Sequence, residues 1–234
     1  MIAPNRTPSF DSHQTSAKRI MLIMANTLDC RVLSEFLRTN FPPELEIVES
    51  TDDFEFGISR CQRLVPKALI LDPKCHSQAL SESIDLLFQG FLSKVILLDD
   101  RPREGLLVDV LPLHQISYLT REMDGQDLIE SIRRIVLHGE RVFDPKVRER
   151  VARTHHGWRL NPQMTTNSVA ELTTREKDVL RLLAEGFSVR DCAKRLAVSV
   201  STVDNHKTRM MKKLKLHKAT QLTRLAISEG FIWC

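Results

Sequence analysis

Long hydrophobic runs are missing from this 234-residue chain. None approaches the roughly eighteen apolar residues of a membrane span, so we expect no membrane partner. The start, "MIAPNRTPSFDSHQTSAKR", lacks the apolar centre of a secretory signal. It is polar, carries two prolines, and reads as a disordered tail over residues 1–17. Cysteine is scarce and scattered. Cys30, Cys61, Cys75, Cys192 and Cys234 are odd in number and never form a C-x-x-C pair. That argues against a disulfide framework or a zinc site, and for reduced thiols in the cytoplasm. No glycine-rich phosphate loop and no Ser/His/Asp or Cys/His arrangement occurs. The eight histidines are dispersed, with one adjacent pair at 155–156. We therefore expect no enzyme and no cofactor.

The charge present is unevenly spread. Residues 172–234 hold 13 basic and 6 acidic side chains, a net +7; residues 1–171 hold 21 and 24, a net −3. A small basic domain behind a slightly acidic one suggests a nucleic-acid partner for the former. An ordinary solvated basic surface would give the same count.

Five short apolar runs punctuate the first half: "RIMLIM" (19–24), "LEIVE" (45–49), "KALIL" (67–71), "KVILL" (94–98) and "QISYL" (115–119). Near-continuous apolar runs fit strands buried on both faces of a parallel sheet. Helical patterns lie between them. One has Val32, Leu33, Phe36 and Leu37 in a stripe; another has Leu128, Ile129, Ile132, Ile135 and Val136, with Gly139 as C-cap. Five strand–helix units predict a doubly wound α/β domain over residues 18–140. "FDPKVRERVAR" (143–153) predicts one short helix. The aperiodic stretch 154–171, with Gly157 and Pro162, reads as a linker, which places 141–167 between the domains.

From Leu172 the pattern is purely helical, and we expect a four-helix domain over 168–234. Thr173 with Glu176, and Ser188 with Asp191, have capping-box spacing. Ser199 is the N-cap of a third helix with Val200, Val203, Met210 and Leu214 inward. Ser201, Thr202, Asp204, Asn205, Thr208 and Arg209 then face out. Two helices joined by a tight turn, the second polar and then basic, describe a helix-turn-helix. Small hydroxyl and amide groups at its start reach base edges or phosphates. Lys207, Arg209, Lys212 and Lys213 neutralise phosphates. A four-helix core with a solvated basic face would show the same periodicity.

The segments "LTTREKDVLRLLAEG", "STVDNH", "MMKKL" and "AISEGFI" together resemble the LuxR/FixJ-type DNA-binding domain almost end to end. The resemblance implies that the helix from about Val200 to Leu214 enters the major groove of double-stranded DNA. It also implies that the last helix can pair two domains into a homodimer, and Ala219, Leu222, Thr223 and Ala226 offer a close-approach face. Asp204 departs from the family, whose members often carry a basic residue there. An acid can accept a hydrogen bond from cytosine N4, or pair with Lys207 or Thr208 on its own helix.

Residues 19–138 resemble the receiver domain of response regulators, by element order and by "KALILD". The resemblance implies that Asp72 stands where receivers take a phosphoryl group. It further implies an acidic pair for Mg²⁺ after the first strand, a Ser/Thr after the fourth and a Lys after the fifth. This chain has Ala25 and Asn26, Asp99, and Arg121 instead. We expect a vestigial phosphoacceptor pocket of Asp72, Asn26, Asp99 and Arg121, with no Mg²⁺ and with Asp72 paired to Arg121. One alternative keeps a cation between Asp72, Asp99 and Asp100; another is a conventional regulator phosphorylated at Asp72. The expectation is a transcription regulator whose receiver-like domain takes its input from a regulatory protein or a small ligand. A protein-interaction module without DNA binding is the remaining alternative.

Overall fold

The computed structural model describes residues 17–75, 94–155, 157–161 and 168–232. Residues 1–16 of the tail expected over 1–17, residues 76–93 and the centre of the expected linker lie outside them.

The first half is a five-stranded parallel sheet in the order β2-β1-β3-β4-β5. The strands are β1 (Lys18–Ile23), β2 (Leu45–Thr51), β3 (Ala68–Leu71), β4 (Lys94–Asp99) and β5 (Ile116–Thr120). Each falls within a residue or two of its apolar run. The reason is the two-residue side-chain period, which feeds both faces of a covered sheet. Met21, Ile23, Leu69, Leu71 and Leu97 pack on one face. Ile20, Leu22, Ile70, Ile96 and Leu98 pack on the other. Burying each such side chain contributes roughly 1.5–3 kcal/mol before chain entropy is subtracted.

Helices α1 (Thr27–Asn40), α2 (Phe54–Leu64), α3 (Glu104–Val110) and α4 (Gly125–His138) cover the sheet. Asn26, Asp53 and Asp124 cap α1, α2 and α4 through side-chain oxygens on early backbone amides. Gly139 closes α4 at φ 69°, a conformation that glycine adopts without cost.

The region after α4 differs from its sequence reading. α5 (Pro145–Arg150) is a single short helix capped by Asp144, with Pro145 in its first turn. The chain then turns into an antiparallel hairpin, β6 (Val151–Thr154) and β7 (Gly157–Leu160). Residues 151–153 were expected in the helix, and 154–160 in a linker. Burial decides otherwise: Val151 joins the sheet's core cluster, and Trp158 meets Phe143 edge-on at 5.1 Å.

The C-terminal domain holds a 3-10 turn (Ser168–Glu171) and helices α6 (Thr174–Ala184), α7 (Val189–Arg195), α8 (Val200–Lys213) and α9 (Ala219–Ser228). Both capping boxes form at their sequence spacing. The core gathers Leu172, Val179, Leu180, Cys192, Val203, Met210, Leu222 and Ala226. Two expectations fail here. Val200 is 44 % exposed, because it opens α8 beyond the reach of the core. Leu222 and Ala226 are buried in their own domain, so they offer no pairing face; the long helix α6 claims that side of α9. Thr223 is half-buried, and the side chain of Ala219 lies outside what is described. No helix among the described residues is long and apolar enough to cross a membrane.

Candidate functional site: a sheet-edge carboxylate and an exposed helix

Asp72 follows β3 at the carboxyl edge of the sheet, where open α/β folds place their sites. Its carboxylate is 1 % exposed. One oxygen accepts the Lys74 amide at 2.9 Å, and the other meets Arg121 from the end of β5. Burial pushes the Asp72 pKa up, against the pull of the Lys74 amide and of Arg121.

Arg121 is the hub of the edge. Its guanidinium also binds Asp29 on α1 and lies 3.7 Å from Asp100. Burial alone would lower its pKa; the carboxylates around it outweigh that and raise it. Lys74 pairs with Asp100. The pKa of Asp29 is lowered, chiefly by its hydrogen bond from Arg121. That of Asp100 is lowered too, because Lys74 outweighs the desolvation.

The expected pocket is therefore only partly assembled. Asp72 and Arg121 meet. Asn26 does not reach them: it caps α1, accepting from the Asp29 amide and donating to the Asp29 carboxylate, each at 2.9 Å. Ala25 carries no ligating side chain. Asp99 turns away. It is fully buried, accepts from Tyr118 Oη at 2.8 Å, and holds Arg103 Nε at 2.9 Å. So Asp72, Asp99 and Asp100 do not converge on one cation; each has an internal cationic partner. Nowhere among the described residues do three such ligands come together. Asp29, Lys74 and Arg103 went unread in the sequence. Only Asp29 left a signal there, three residues after Asn26 at capping spacing.

In the C-terminal domain, α7 and α8 are joined by a turn over residues 196–199 in which Ala197 has φ 53°. Ser201, Asp204, Asn205, Thr208, Arg209 and Lys212 are exposed on α8, and Thr202 and Lys207 are half-exposed. The hydroxyls of Ser201 and Thr202 bond Ser199 Oγ at 2.8 and 2.7 Å, which ties them to the helix start. Asp204 has no salt bridge among the described residues, so the alternative of an ion pair with Lys207 is not formed. Lys213 differs from its neighbours. Its ammonium binds the Glu176 carboxylate at 2.7 Å and the Glu171 carbonyl at 3.0 Å. It staples α8 to α6 and does not face outward with Lys212.

A buried carboxylate at a parallel-sheet edge, joined to a helix-turn-helix, is the arrangement that the sequence resemblances imply. Residues 170–226 match the model of "Bacterial regulatory proteins, luxR family", and the C-terminal domain is a luxR-family domain. The chain is 29 % identical over 175 residues to the Escherichia coli nitrate/nitrite response regulator NarL, covering 74 % of this chain and 79 % of that one. It is 28 % identical to the oxygen regulatory protein NreC of Staphylococcus carnosus, covering 82 % and 90 %. It is 26 % identical to the transcriptional regulatory protein DegU of Brevibacillus brevis, covering 81 % and 85 %. Among solved structures, the Salmonella typhimurium RcsB response regulator has the same fold, with TM-score 0.58 at 19 % identity over 89 % of this chain and 96 % of that one. RcsB dimers on two parallel DNAs match at TM-score 0.54 and 20 % identity, covering 91 % and 99 %.

Proposed function

We propose that this protein is a DNA-binding transcription regulator, working as a homodimer, whose receiver-like domain is not controlled by aspartyl phosphorylation. DNA is read by α8. Ser201, Thr202, Asp204, Asn205 and Thr208 face base edges and nearby phosphates, while Lys207, Arg209 and Lys212 neutralise phosphates. RcsB, bound to DNA as dimers in its solved structure, supports both partners by analogy of fold.

The observation that carries the reading of the receiver-like domain is the ion pair of Arg121 with Asp72. Phosphoryl transfer to a carboxylate needs its donor's charge offset by a cation and a positioned ammonium. Here the acceptor carboxylate is already occupied by a guanidinium on the same chain. The groups that would hold a metal are an alanine and an asparagine committed to a helix cap. Each missing electrostatic contact of this kind costs a rate factor on the order of a hundred to a thousand. Control then passes to a regulatory protein or a small ligand on the receiver-like domain.

The conventional reading, phosphorylation at Asp72, is favoured by the name of the NarL relative, a response regulator protein. Incubation of the full chain with a small phosphodonor and Mg²⁺, followed by intact mass measurement, separates the two. No gain is expected. A gain of about 80 Da, one phosphoryl group, that disappears in Asp72→Ala establishes the conventional reading.

A further inference from the structure

We propose that Asp99 and Arg103 form a latch that clamps the C-terminal domain onto the receiver-like domain through the end of α9. Asp99 stands at the end of β4 and is fully buried. Its oxygens accept Arg103 Nε at 2.9 Å, Arg103 Nη2 at 3.4 Å, Tyr118 Oη at 2.8 Å and the Asp100 amide at 2.7 Å. That set uses most of a carboxylate's acceptor sites and fixes the guanidinium plane. Arg103 Nη1 is thereby aimed across the domain boundary, at the Ile227 carbonyl (3.2 Å) and the Ser228 carbonyl (3.5 Å).

Those carbonyls belong to the last turn of α9, at the negative end of the helix dipole; the Ile227 carbonyl also accepts the Gly230 amide at 3.3 Å. Arg101 adds a second guanidinium on the Ser228 carbonyl at 3.2 Å. Beside them the backbones meet directly. The Leu106 amide donates to the Glu229 carbonyl at 3.3 Å, and the Glu104 amide to Glu229 Oε2 at 3.1 Å. At the far end of α3, Asp109 binds Arg181 and Lys177 of α6. Gly105 permits this approach: a Cβ there would lie 2.5 Å from the Glu229 carbonyl oxygen, a backbone atom that cannot swing aside.

α8 takes no part in the clamp; it packs mainly on α6, α7 and the 168–171 turn, with its polar face outward. The latch therefore fixes the orientation of the helix-turn-helix without masking it. Asp99, at the place of the hydroxyl in the receiver resemblance, is the anchor of a domain contact. Any event that draws Asp99 or Tyr118 away from Arg103 frees the end of α9.

The test uses the full chain and four variants: Arg103→Ala, Asp99→Asn, Gly105→Ala and, as control, Asp72→Asn. Gly105→Ala forces the domains apart while favouring helix α3, so it reports even if loss of Arg103 unfolds the protein. Amide hydrogen exchange at Leu106 and the radius of gyration from X-ray scattering are measured. Exchange about tenfold faster or more, with a larger radius, is expected in the first three variants and not in Asp72→Asn. Unchanged exchange and radius in Gly105→Ala overturns the latch. Opening by Asp72→Asn as large as that by Asp99→Asn removes Asp99 from it.

Discussion

Arg121, from the end of β5, reaches across the carboxyl edge of the sheet and lays one guanidinium nitrogen on the buried carboxylate of Asp72. The same guanidinium ties down Asp29 on α1, so three elements are joined at the point where a receiver would hold its phosphoryl group and metal.

Removing the cation exposes what the pair is worth. Arg121→Ala leaves a buried carboxylate without its guanidinium. The loss of one partner of a buried pair costs roughly 3–5 kcal/mol. Arg121 is 26 % exposed, so solvent screening brings the expected loss to about 1–3 kcal/mol. Denaturant unfolding measures it. Adding Asp72→Asn to that variant is expected to recover most of the loss, and additive losses would contradict a coupled pair.

Asp72→Asn alone is expected to raise the melting temperature at neutral pH. Burial raises the Asp72 pKa in the fold, so the ionised form is favoured less there than in the unfolded chain. The cost is full above the raised pKa, shrinks as pH falls through it, and vanishes below the unfolded value near 4, where both states bind the proton. The gain of the variant should therefore fade in acid. Asp29 and Asp100 carry the opposite sign. Their lowered pKa values contribute stability that is present above the ordinary carboxylate range and lost below it. A melting-temperature series against pH for both proteins decides this, and a variant less stable at pH 7 contradicts it.

Lys212 and Lys213 are neighbours with different expected effects. Lys212→Ala should lower DNA affinity and reduce the slope of log affinity against log salt by about 1. Lys213→Ala should leave that slope unchanged and lower the melting temperature, because its ammonium is spent on Glu176 and Glu171. Binding titrations at several salt concentrations distinguish them. Equal salt slopes for the two variants would make Lys213 a phosphate contact after all.

Asp204→Lys should change the preferred DNA site more than the total affinity. Asp204 is exposed near the start of α8 and, among the described residues, has no ion pair to hold it back from a base edge. A changed preference of this kind is worth about 1–3 kcal/mol at one base pair. Selection from a random DNA pool is the measurement; identical preferred sequences for the two proteins would leave Asp204 without a reading role.

The sequence by itself determined the sheet, its flanking helices and the helix-turn-helix. These depend on local periodicity: runs such as "RIMLIM" and "KALIL" have nowhere to lie except inside a covered sheet. The caps at Thr173, Ser188 and Ser199 are four-residue patterns that bond their own backbone. Asp72 beside Arg121 was legible as well, since both close strands that end at the same edge. Contacts between separate elements were decided by tertiary structure alone. The hairpin at 151–160 follows from Trp158 finding Phe143, against a local pattern that reads as helix and linker. Asp99 was placed beside Asp72 by its position after β4, yet it turns to Tyr118 and Arg103, because a buried carboxylate goes to the donors that desolvation leaves within reach. Leu222 and Ala226 read as a surface for a second copy and became core, since which side of an amphipathic helix faces its own domain is set by where α6 lies. Chain order fixes which groups exist; only the packed fold fixes which of them meet.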